Sequence, residues 1–163
     1  MNQQEYENEI KELKKRIEKL EAVKVADKGG RWKPKFRDMY YYVELDGNIE
    51  KCMCTDADID RWCYLTGNCF ETEEEAEEYK KQIEYTARYK NYIEEHSEPL
   101  DWTDRKQSKF GAYYDYDYEL VDLENTSLHS NQGTIYASSK QIILDAIKEI
   151  GEDNFKKYVL GVK

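Results

Sequence analysis

Apolar residues recur at two different periods along this chain, and the change of period divides it. Over residues 4–25 they fall in steps of four and three, at Tyr6, Ile10, Leu13, Ile17 and Leu20. Ile10 and Ile17 take heptad position a, and Tyr6, Leu13 and Leu20 take d, a choice that favours a parallel two-stranded coiled coil. In such a pair Glu9 faces Lys14 and Arg16 faces Glu21, and both contacts attract. These five residues are the expected dimerisation seam of a homodimer. The alternative is the same stripe folded back on its own domain. "DKGGRWKPK" (27–35) then breaks the pattern, because Gly29 and Gly30 stop a helix and Pro34 prevents an immediate restart.

Further on, the period shortens and lengthens twice. "MYYYVELDGNIEKCMC" reads as two strands about Asp46-Gly47, a hairpin turn pair. A third extended piece is expected within 59–70. "ETEEEAEEYKKQIEYTARYKNYIEE" reads as a long helix, opened by a capping box between Thr72 and Glu75. Its buried face is expected at Ala76, Tyr79, Ile83 and Ala87, widened by Tyr89, Tyr92 and Ile93. Residues 109–124 exceed the ~10 residues of a long strand. They are expected to form a hairpin with arms "KFGAYY" and "YELVDL", turning near Asp115–Asp117 and packing Tyr113, Tyr114 and Tyr118 within it. "GTIYAS", the helix "SKQIILDAIKEI" and a short last helix follow. Gly67, Phe70, Thr72 and Glu75 match Gly133, Tyr136, Ser138 and Gln141 at one common offset, which suggests a duplicated unit. The predicted fold is α+β: an N-terminal coiled-coil helix followed by two β-β-β-α units with antiparallel strands. The segments are a helix (1–27), a linker (28–38), a first unit (39–98), and a second unit with a short C-terminal helix (99–163).

Composition adds a small, tyrosine-rich core to this picture. Fifteen tyrosines and 13% aromatic residues are uncharacteristic of a disordered chain. Charge changes the picture more. The formal net charge is −10, and it is uneven: residues 1–38 hold 11 Lys/Arg against 8 Asp/Glu, residues 39–163 hold 14 against 27. An acidic body repels nucleic acid, so direct DNA binding is not expected, and it attracts basic protein surfaces. No apolar run approaches the ~20 residues of a membrane span. The N-terminus lacks a signal-peptide core. The expectation is a cytoplasmic protein with no membrane contact and with reduced cysteines.

Candidate chemistry is sparse. Cys52, Cys54, Cys63 and Cys69 could supply four thiolates to zinc, but their spacing lacks paired knuckles, and small buried side chains explain them better. "DADID" (56–60) opens like a calcium loop, yet Arg61 and Gly67 stand where that loop needs glycine and glutamate. His96 suits a helix C-cap, and His129 lies in a polar loop. No phosphate loop or nucleophile elbow is present, so no catalytic residue, no enzyme activity and no cofactor are expected. The remaining signal is negative charge: Glu71, Glu73, Glu74, Glu75, Glu77 and Glu78, with Asp56, Asp58 and Asp60, could form one partner-binding patch that imitates a phosphate array.

The charged N-terminal coil, "RWKPKFRDMYYYVELDGNIEKC", "GNCFETEEEAEEYKKQIE" and "GTIYASSKQIILDAIKEIGEDNFKKYVLGV" together resemble small accessory proteins of phages and prophages in low-GC Gram-positive bacteria. The resemblance runs over nearly the whole chain. It implies a viral protein that inhibits host defence, in the class of anti-CRISPR proteins that block Cas9-type effectors. Its partner would be a host defence protein, such as a Cas nuclease or its guide complex, bound through an acidic DNA-mimicking surface. Two alternatives stand beside it. One is a sponge for a signalling nucleotide, with phosphate held by Arg31, Lys33, Lys35 and Arg37. The other is an interaction or assembly protein with no inhibitory role.

Overall fold

The computed structural model describes residues 31–162 and, before them, Lys14 alone. The coiled-coil seam at Tyr6, Ile10, Leu13, Ile17 and Leu20 lies outside the described residues. Met1–Pro34 and Lys35–Lys163 are separate units, and the architecture below is that of the second. It is α+β, with four helices and two small antiparallel two-stranded sheets among the described residues.

The first sheet pairs β1 (Met39–Val43) with β2 (Ile49–Met53). Gly47, at φ 84°, makes the turn, and the Asp46 carboxylate accepts from Asn48 N. Alternation turns Tyr40 inward, where it is fully buried opposite Cys52. The third strand expected within 59–70 is instead mostly a helix, α1 (Asp58–Thr66). Its first turn carries Asp58 and Asp60, and Asp60 reaches back to accept from Ala57 N at 2.9 Å. Its last turn closes on Gly67, at φ 92°, with Gly67 N donating to Tyr64 O and Asn68 N to Cys63 O. That is the Schellman arrangement, which glycine permits because it has no Cβ. What remains of the third strand is two contacts with the outer edge of β1. The Asn68 amide brackets Val43, accepting from its N and donating to its O. Phe70 exchanges both backbone bonds with Tyr41.

The long helix α2 (Glu73–His96) begins as expected. Thr72 accepts from Glu75 N at 3.2 Å, and the Glu75 carboxylate accepts from Thr72 N and Glu71 N. Its buried residues are Ala76, Tyr89 and Ile93. Ile83 and Ala87 are exposed, so the face expected from steps of four drifts off the core halfway along. The reason is that α2 has two tasks. Near its start Tyr79 packs on Phe70, and further on Tyr85 and Tyr89 pack on the C-terminal segment.

The second sheet pairs β3 (Lys109–Asp115) with β4 (Leu120–Thr126). Phe110 exchanges both backbone bonds with Ala137, so here too a single bridge stands where a third strand was expected. The helix α3 (Lys140–Ile150) is capped by Ser139, which accepts from Ile142 N. The cap falls one residue later than the expected Ser138, and Gln141 pairs with Asp145 instead of closing a box. A short helix α4 (Glu152–Asn154) runs into a π-helical turn (Phe155–Val159). The main core lies here: Tyr89 and Ile93 of α2, Ile143, Ala146, Ile147 and Ile150 of α3, and Phe155.

Candidate protein-binding surface

The nine carboxylates expected to form one patch serve different ends. Asp60 is 5% exposed and belongs to the interior. Its carboxylate accepts from Tyr40 OH at 2.8 Å, Thr55 N at 2.9 Å and Ala57 N at 2.9 Å. Burial alone would raise its pKa, but these donors outweigh burial and hold the carboxyl below its ordinary value. Asp60 is therefore a structural brace between β1, the 55–57 loop and α1, and not part of a partner-binding face. Glu78 is half-buried and already partnered, by Lys157 at 2.6 Å and Lys81 at 3.3 Å. The Lys157 ammonium, more than any other group, keeps its pKa low. Glu75 closes the helix cap. The outward-facing remainder is Glu71, Glu73, Glu74 and Glu77 at the start of α2, with Asp56 and Asp58 exposed at the start of α1. None of these six is in an ion pair among the described residues.

The cysteines divide as well. Cys52 and Cys63 flank the buried Tyr40 hydroxyl, and Cys54 and Cys69 are buried as small side chains. Among the described residues no three His, Cys, Asp or Glu groups come together where a metal ion could sit. Burial pushes the Cys52 and Cys63 thiols up, and it pushes the Tyr40 hydroxyl up as well. A nucleophilic cysteine needs the opposite shift, towards thiolate. The cluster has the chemistry of a core, with one tyrosine hydroxyl satisfied by one carboxylate.

A second acidic surface lies at the β3–β4 turn. The turn occupies Tyr116–Glu119, later than expected, because the Asp115 carboxylate accepts from Asp117 N and Tyr118 N and so folds the chain after itself. Tyr118 was expected to pack within the hairpin but is 77% exposed, and Tyr116 beside it is 73% exposed. Tyr116 meets Tyr114 edge-on at 4.9 Å, and Tyr113 donates to Asp122 at 3.1 Å. Asp117 and Glu119 complete a projecting tip of alternating rings and carboxylates. The alternation "YYDYDYEL" was the available signal. A turn that starts one residue later and ends two later than expected leaves Tyr116 and Tyr118 outside.

Among the described residues no helix is long and apolar enough to cross a membrane. In comparisons with known proteins, no family model, no curated protein and no solved structure matches the chain.

Proposed function

We propose that this chain is a non-enzymatic inhibitor of a bacterial defence nuclease, of the anti-CRISPR kind carried by phages and prophages, acting in the host cytoplasm. It occupies a basic surface that otherwise holds nucleic acid. The observation that supports this reading best is the set of exposed carboxylates without ion pairs among the described residues: Glu71, just before α2, and Glu73, Glu74 and Glu77 on it. The tyrosine-bearing tip at Tyr116 and Tyr118 adds contact area of the type that dominates protein interfaces. In the same proposal the seam Tyr6, Ile10, Leu13, Ile17 and Leu20 makes a homodimer. The two halves of the body descend from one duplicated unit, each with a hairpin, a bridge to its first strand and a capped helix.

The test is binding and cleavage inhibition with purified defence nucleases, beginning with a Cas9-type guide complex. Electrostatic pairing predicts a complex that weakens as salt rises. The variant E71Q/E73Q/E74Q/E77Q should bind about tenfold more weakly or worse. A salt-insensitive complex, or one the variant leaves unchanged, sinks the nucleic-acid mimicry. Failure to bind any nuclease sinks the inhibitor reading itself.

A further inference from the structure

The helix α1, which replaces the expected third strand, turns one apolar face to solvent. Ile59, Trp62 and Leu65 are 60%, 63% and 69% exposed. Steps of three place them within one arc of about 120° on a helix, while Asp60 and Cys63, on the flank beyond Ile59, are buried. Three large apolar side chains in one arc, one of them tryptophan, are more than the scattered exposure normal for a protein surface. Ile59 also lines a groove of about 480 Å³ between α1 and the β1–β2 turn, with Val43 and Leu45 on its apolar side.

The polar groups of this groove are nearly all committed. The Asn68 amide is taken by the Val43 backbone, and Cys63 is turned to Tyr40. Among the described residues, the charged ones that line the groove are Glu44 and Asp46, with no lysine or arginine. Asp58 adds a carboxylate at the first turn of α1.

We infer that Ile59, Trp62 and Leu65, with the adjoining groove, form a docking surface for a basic amphipathic segment of another protein. Its apolar side chains cover Trp62 and Leu65, and its lysines or arginines meet Glu44, Asp46 and Asp58. Charge decides between this occupant and the acidic body of a second copy. Residues 39–163 carry 27 acidic against 14 basic side chains, so two such bodies brought face to face repel, whereas a basic segment is attracted. Tryptophan at the centre of such a surface is the residue type that most often carries binding energy. The inference needs no nuclease, and it stands or falls separately from the function proposed above.

The probe is a fluorescent peptide of leucine and lysine in a helical amphipathic pattern, titrated with the full chain and read by anisotropy. Controls are the same composition scrambled, and a leucine–glutamate peptide of the same pattern. The patterned leucine–lysine peptide should bind, more weakly as salt rises, and the two controls should not. W62S/L65S should lower its affinity by about tenfold or more. These side chains are exposed, so the thermal unfolding midpoint should stay where it is. E44Q/D46N/D58N should lower the affinity at low salt and flatten its salt dependence. Equal binding of the scrambled peptide overturns the inference, as does unchanged binding by W62S/L65S. So does a dimer in sedimentation that W62S/L65S dissociates, because that assigns the face to a second copy.

Discussion

Asp60 shows how one side chain can decide a local fold. It is the N3 residue of α1, the acceptor for the loop that leads into α1, and the partner of the buried Tyr40 hydroxyl. An unpartnered buried polar group costs about 1–3 kcal/mol. Tyr40→Phe removes one donor of several and should cost toward the lower end of that range in chemical unfolding. Asp60→Ala strands the Tyr40 hydroxyl and two backbone N–H groups together and should cost more. The pH dependence follows from the sign of the shift. The folded pKa of Asp60 is depressed, so its contribution is present above the unfolded carboxyl value of about 3.9. It is lost as pH falls through the lower folded value. Asp60→Asn should therefore be less stable than the parent at neutral pH and should lose less stability on acidification. Parallel acid limbs for the two proteins would show that the carboxylate is not the titrating brace.

The elements legible in the sequence are those whose signals are local. Asp46-Gly47 specified the first turn, and the Thr72–Glu75 box specified the start of α2, because each depends on a few adjacent residues. Both hairpins and α3 were legible by period. Whether 59–70 was strand or helix was not, since the segment is short and its apolar residues, Ile59, Trp62 and Leu65, face solvent instead of a core. Periodicity marks a buried face, and this one is outside. The decisive signals were the Asp60 carboxylate at N3 and Gly67 at the far end, both capping signals. The candidate surface was legible as charge but not as exposure: six of the nine carboxylates face outward with no ion pair among the described residues, and three are occupied by the fold itself. Ser138 and Ser139 posed the finest question, which of two adjacent serines caps α3. Ser139→Ala should cost about 1 kcal/mol. Gln141→Ala should stay within about 0.5 kcal/mol, as surface substitutions do. A large loss at Gln141 would place the cap at Ser138 after all.

At the scale of the whole described body, burial is unequal between the halves. Under the first hairpin the buried apolar residues are Tyr40, Cys54, Cys63, Cys69 and Ala76, with one large side chain among them. Under the second they include Tyr89, Ile93, Ile143, Ile147, Ile150 and Phe155. A fully buried isoleucine or phenylalanine contributes about 1.5–3 kcal/mol, so most of the stability resides where α2, α3 and the π-helical turn meet. Local opening follows local burial. In native-state hydrogen exchange, amides of β1, β2 and α1 should open at a lower free energy than those of α3 and the second half of α2. Ile147→Ala makes the distinction quantitative. It should lower the opening free energy of the α3 amides by about 2–5 kcal/mol. The β1–β2 amides should keep their own value until global unfolding falls to meet it. If both sets of amides drop together by the same amount, α2 couples the halves into one cooperative unit. The hairpin would then owe its stability to the distant isoleucine core and not to the Tyr40–Asp60 brace.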